Sequence, residues 1–434
     1  MTQSRIRIAV SWFFIVATIV IIQIILIRRN SNISSVDSAS IIQIQMTGKY
    51  FVGIKQFPRQ TPMLEKRLSQ LEQGIINSKG HNIALANIPI LAEVSGKDAA
   101  LHELSRMAED PDRVADGKNI PVFLKLYNDG SSSLDSDQLL ILKDYGWVGR
   151  LALSQDKPDT DPERRKVLRS AFIMVTLMGM LTIAAVAVLL AGLVLFIIAI
   201  VQGIKGKLKS HLIIPDTQGS LLLETFAIYL VLSTVLPLLL VVIFPGFRNG
   251  GILMSIMAGL LPILWPLING AGWKDYRTAL GWNRGKGFFR EVGAGIVGYI
   301  AGLPLMVVGV IVVMILTRYA GQTPTHPVVF DLSRSPLFIF LLASVYAPFT
   351  EETLFRGALY GYLRKSLPWV VSGIISSFIF AILHPQGWVA VPVLGVIGFN
   401  LSVIREWRGS TIAPMTAHAL NNGSLIGILI ISLA

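Results

Sequence analysis

Hydrophobic positions follow two rhythms along this chain. Apolar runs suited to membrane helices, which take roughly 20 residues each, occupy residues 8–27, 170–204, 221–244, 251–271, 292–317, 337–363, 369–384, 389–404 and 411–433. The first run lies between Arg5 and Arg7 on one side and Arg28 and Arg29 on the other. It is longer than the apolar region of a signal peptide, and no small-residue cleavage site follows closely, so it predicts an uncleaved anchor. Residues 170–204 carry no charge, which fits a long tilted helix or a helix with an interfacial turn. The pattern predicts one anchor and about eight further spans, an all-α polytopic bundle.

Residues 30–168 show the second rhythm, with apolar positions spaced for half-buried helices. Thr61-Pro62 followed by Leu64, Leu68, Leu71 and Ile75 predicts a capped helix. Residues 97–109, with Leu101, Leu104 and Ala108 on one side, predict another, and residues 136–145 a third. Residues 41–55 fit either a helix or a hairpin turning near Gly48, and residues 128–131 read as a loop. The expectation is a small, mainly helical soluble domain inserted after the anchor.

Composition agrees with this picture. The chain is 53% hydrophobic and 15% charged, whereas soluble domains run near a quarter charged. Of its 26 acidic residues, 18 fall between Arg28 and Arg169, beside 20 of the 38 basic ones, so most of the +12 net charge belongs to the membrane part. That excess suits loops facing anionic lipid, and with no basic run interleaved with aromatics it gives no nucleic-acid partner. Twelve basic residues (among them Lys205, Lys207, Lys274, Arg277, Arg364, Lys365, Arg405 and Arg408) fall in loops on one side, against Arg248, Arg318 and Arg334 on the other. The positive-inside rule then places the soluble domain and the C-terminus outside the cytoplasm, in the plasma membrane if the cell is prokaryotic. Arg164, Arg165, Lys166 and Arg169 weigh the other way. Cysteine is absent, which removes thiol chemistry and disulfides.

Charges inside apolar runs cost roughly 2.5–3.5 kcal/mol each on insertion scales and usually serve function. Residues 337–363 contain Glu351, Glu352 and Arg356. Glu352 and Arg356, one helical turn apart, can neutralise each other. Glu351 points about 100° away and lacks that partner. Pro348 would kink the helix just upstream. His384 ends the next run, and His418 shares a helical face with Asn422 in the last. Carboxylate, imidazoles and amide are the parts for activating a water and stabilising an oxyanion. His81 and His102 read as surface residues. No Gly-x-Ser-x-Gly elbow and no His-Glu-x-x-His helix is present.

Glu351-Glu352-Thr-Leu-Phe355-Arg356-Gly357, Phe380-x-x-x-His384 and His418-x-x-x-Asn422, in this order on separate helices, resemble the three-motif signature of the CPBP intramembrane proteases. These are the Abi-type enzymes related to the CAAX prenyl endopeptidase. The resemblance covers residues 337–434 well and the spans from about 220 loosely, so the protease core is expected over 169–434; the anchor at 1–29 and the soluble domain at 30–168 lie outside it. It implies that Glu351, helped by His384, activates water, that His418 and Asn422 hold the oxyanion, and that Glu352 and Arg356 orient the site. The substrate would be a membrane-associated peptide or protein, prenylated by inheritance from the family name. A glutamate-activated water needs no cofactor, and this is the preferred reading. The family's metalloprotease label leaves zinc as the alternative, with Glu352, His384 and His418 as its ligands. The rival function is a non-catalytic membrane scaffold or bacteriocin-immunity-type protein. Nothing in residues 30–168 names a partner for the soluble domain.

Overall fold

The computed structural model describes residues 3–32, 37–57, 81–109, 119–215, 219–243, 250–321 and 335–433, with isolated positions between 58 and 80. Among them every regular element is helical, and the chain is a polytopic all-α membrane protein. Among the described residues seven helices are long and apolar enough to cross a bilayer, and Trp369–Ile382 and Ile256–Ile268 are shorter apolar helices. Each predicted span therefore falls on a helix. The helix expected around Leu64 to Ile75 lies outside the described residues.

The chain divides into two compact units, one of residues 1–32 and 186–427, the other of residues 33–185 and 428–434. The second unit contains α2 (Asp37–Lys55), α3 (His81–Ser95), α4 (Lys97–Glu109), α5 (Ile120–Asp129), α6 (Ser136–Asp144) and α7 (Trp147–Ala152). The ambiguity at 41–55 resolves as helix, and Gly48 has a packing reason rather than a turn. A Cβ there would sit 2.6 Å from Ile90 and 3.1 Å from Trp147, so glycine lets α2 and α3 close on each other. α3 escaped the periodicity reading because its apolar residues surround it and Pro89 interrupts it. α6 begins with a capping box: Asp135 accepts from the Gln138 amide at 2.8 Å, and Gln138 accepts from the Asp135 amide at 3.1 Å. Trp147, Phe123, Leu85 and Leu151 centre the core of this unit.

The two units divide within α8 (Pro162–Ile204), one unbroken helix of 43 residues. The first unit holds α1 (Gln3–Asn32), α9 (Gly219–Ile243), α10 (Gly250–Leu260), α11 (Trp273–Leu280), α12 (Phe288–Ala320), α13 (Pro336–Leu363), α14 (Trp369–Ile382), α15 (Val391–Arg408) and α16 (Ile412–Leu433) up to residue 427, the last residues of α16 belonging to the second unit. Small residues set the close approaches. On α12, Gly295 meets the backbone of Ala413, Gly298 the side chain of Ile404, and Gly302 that of Asn400. This is how membrane helices associate when apolar surface alone gives no drive.

The stretch between the predicted spans 251–271 and 292–317 instead begins as a helix that sinks into the bundle. α11 buries Tyr276, Ala279 and Leu280, and ends at Gly281 in the left-handed conformation (φ 78°). The Thr411 amide donates to the Gly281 carbonyl at 2.9 Å, so α16 starts from this buried tip, where Ser410 and Thr411 are also buried.

Candidate active site

The site grows from irregularity in α13. Proline lacks an amide hydrogen, and its ring presses on the carbonyl four residues earlier, here that of Ser344. The helix widens into π turns over Leu342–Tyr346, resumes α geometry over Ala347–Glu351, and widens again over Glu352–Leu359. Such π turns inside α-helices concentrate at functional sites. Glu351 and Glu352 sit at the junction of the second widening.

The two carboxylates have different surroundings. Glu352 and Arg356 are fully buried, and Arg356 Nη1 donates to Glu352 Oε1 at 2.9 Å, as the four-residue spacing predicts. His418 Nδ1 lies 2.8 Å from the same oxygen. An ionised carboxylate only accepts, so His418 donates there from Nδ1 and turns Nε2 outward. Nε2 then lies 3.8 Å from Glu351 Oε2, an oxygen with no hydrogen bond. The Glu351 side chain retains 24% exposure.

Arg356 is clamped from several directions. Its Nη2 donates to the Gly398 carbonyl at 2.8 Å, and its guanidinium lies 4.7 Å from the centre of the Phe380 ring. Phe380 also sits between the two imidazoles, 4.3 Å from the His384 ring and 6.0 Å from that of His418. His384 Nδ1 lies 2.7 Å from the Phe380 carbonyl. The structure thus brings Glu351, Glu352, Arg356 and His418 into direct contact and joins His384 to them through Phe380. Asn422 reaches the same helix elsewhere: its Nδ2 donates to the Ala343 carbonyl at 2.9 Å, and its Oδ1 accepts from Asn421.

These donors do not fit a zinc ion. Among the described residues no three His, Asp or Glu side chains converge as ligands. Glu352 Oε1 already serves Arg356 and His418, and His384 Nδ1 is turned to a carbonyl.

Sequence reasoning missed the groups that hold this site from outside. Arg405, counted there as a loop cation, is fully buried; it donates from Nε to the Arg356 carbonyl at 3.3 Å and from Nη2 to the Ala279 carbonyl at 3.2 Å. Trp282, just past α11, donates to Thr353 Oγ1 at 3.0 Å and stacks on Phe349. Arg364 and Arg408, also counted as loop cations, end on buried carboxylates. Glu406 accepts from Arg364 at 2.9 and 3.0 Å and from Tyr360 at 2.7 Å. Glu291 accepts from Arg408 at 2.6 and 2.9 Å and from the Lys286 amide at 2.9 Å. Only the presence of acids at 291 and 406 hinted at this, since the pairings cross between helices.

Residues 333–424 match the family described as type II CAAX prenyl endopeptidase Rce1-like. Over 93 residues the chain is 34% identical to the uncharacterized protein YpbD of Bacillus subtilis (strain 168), covering 21% of this chain and 44% of that one. The chain thus spans less than half the length of that relative. No solved structure matches. The segment that matches holds all three motifs and both π turns, and over this segment the chain is similar to the Rce1-like type II CAAX prenyl endopeptidases.

Proposed function

We propose that the protein is an intramembrane endopeptidase in which Glu351 activates the attacking water. The observation that carries this is the asymmetry of the adjacent glutamates. Glu352 is fully buried and shared by Arg356 and His418, whereas Glu351 is partly exposed and keeps an oxygen without a hydrogen bond. In the proposed reaction Glu351 takes a proton from water as the oxygen bonds to the scissile carbonyl carbon. The oxyanion of the tetrahedral intermediate accepts from Nε2–H of His418 in its doubly protonated form, whose Nδ1–H donates to Glu352. Glu351 then returns the proton to the leaving nitrogen as the carbon–nitrogen bond breaks, giving a carboxylate and an amine. Glu352 and Arg356 position, His384 borders the same space through Phe380, and the second N–H of Asn422 remains for the oxyanion. The substrate is a membrane-associated peptide or protein, with CAAX-type processing as the instance the family suggests.

The test is comparative analysis of protein termini in cells carrying wild-type chain or Glu351→Gln at matched membrane levels. The expected result is a set of termini made only by wild type. Identical termini in both would favour the scaffold reading. On purified enzyme, chelators are expected to leave turnover unchanged; loss restored specifically by zinc would overturn the glutamate-only chemistry.

A further inference from the structure

A second site lies away from the motifs, between α1 and α9. Arg7, Val10, Ser11 and Phe14 on one helix face Glu224, Ala227, Ile228, Val231 and Leu232 on the other, around a cavity of about 500 Å³. The spacing of three and four places each set on one helical face. Both helices begin at the polar end, so charge and hydrophobicity change in step along the cavity. Arg7, Glu224, Trp265 and Asn269 line its polar end, and Phe14, Val231 and Leu232, about two turns further along, line its apolar end. Val10 and Phe14 are nearly half exposed, so the trough is open along its side. Tryptophan with arginine at one end and apolar walls below is the profile of a headgroup-level site.

The polar end also specifies what it takes. Glu224 is buried at 8% exposure within an otherwise apolar stretch. Its Oε2 accepts from Trp265 Nε1 at 2.9 Å, while Oε1 has no hydrogen bond, with Arg7 Nη1 3.9 Å away. A buried acceptor left in this state is costly. An N–H donor would satisfy it, and the half-exposed Arg7 would meet a phosphate beside that donor. The two side chains sum to zero charge, so a headgroup of zero net charge with separated poles matches, and an anionic one leaves an excess charge against Glu224. We infer that the α1–α9 trough binds an aminophospholipid of the ethanolamine type, its ammonium on Glu224, its phosphate on Arg7 and the upper part of one chain along Val10, Ile228 and Val231. Choline carries the same charges but no N–H, so it fills the trough without satisfying Oε1.

Native mass spectrometry of the full-length, delipidated protein in detergent tests this, offering phosphatidylethanolamine, phosphatidylcholine and phosphatidylglycerol of identical chains. Wild type is expected to retain the ethanolamine lipid about tenfold over the choline lipid, the scale of one charge-assisted hydrogen bond. Glu224→Gln keeps an acceptor for Trp265 and is expected to level the two. Ile228→Trp, which fills the trough and leaves both charges, is expected to lose all three lipids. Equal retention of ethanolamine and choline lipids by wild type overturns the inference. So does a preference that survives Glu224→Gln, ethanolamine-lipid binding that survives Ile228→Trp, or stronger retention of the glycerol lipid.

Discussion

Two groups of buried charge in the membrane unit are built from the same residue types and end in opposite states. Around Glu406 and Glu291 every carboxylate oxygen is taken by arginine, tyrosine or backbone N–H. Around Glu351 and Glu352 one oxygen of each carboxylate and Arg356 Nε have no hydrogen bond. Buried polar groups are normally satisfied, and the exceptions ask for a reason. The first group ties helix ends together. The second, set where α geometry gives way to the second π turn, holds spare hydrogen-bonding capacity at the position where the proposed chemistry needs it.

The contrast can be broken by experiment. The largest effect is expected at Glu351: the Gln variant should lose about 10²–10⁴-fold in turnover and keep the melting temperature of wild type. A variant that cleaves normally removes the central group's claim to chemistry. Glu352→Ala should instead cost stability, about 3–5 kcal/mol, because Arg356 is left buried without its anion. Chemical denaturation in detergent measures this, and a loss under 1 kcal/mol would put Glu352 in the wrong class. Glu406→Gln should cost less, about 1 kcal/mol, since Arg364 is partly exposed and can turn to solvent. Its turnover should stay near wild type; a hundredfold drop would erase the distinction between the groups.

A further effect concerns Lys49 in the other unit, buried with its ammonium on the Ser432 carbonyl at 3.2 Å. Burial, with Arg150 as the lesser cause, pulls its pKa down from 10.5 to about 8. Between those two values the unfolded chain binds more protons than the folded one, so stability should rise with pH from about 8 towards 10.5 and stay flat below 8. Melting temperatures across that window should rise in wild type relative to Lys49→Met; parallel curves would remove Lys49 as the cause.

Much of this was legible beforehand, for identifiable reasons. Helices at 97–109 and 136–144 follow from local periodicity and capping. Glu351, Glu352, Arg356 and His418 stood out because charge inside an apolar run is costly wherever that run packs. What local pattern does not encode is contact between distant segments. Gly48 resembled a turn because the ring of Trp147 that presses on it lies far along the chain. Arg405 resembled a loop cation because its acceptors belong to two other helices. The π turns leave no mark beyond Pro348, since the same residues fit narrower turns equally well.

The order of these contacts along the chain has a consequence for biogenesis. Glu352 and Arg356 are four residues apart, so their helix can enter the membrane during synthesis with those charges already matched. The arginine that braces the widened turn arrives 49 residues after Arg356, and the imidazole facing Glu351 arrives 66 residues after Glu352. On the proposed mechanism the growing chain therefore carries its base long before it carries a working site. Hydrolysis waits for the final helix, and neighbouring proteins in the insertion machinery are spared by the sequence of synthesis itself.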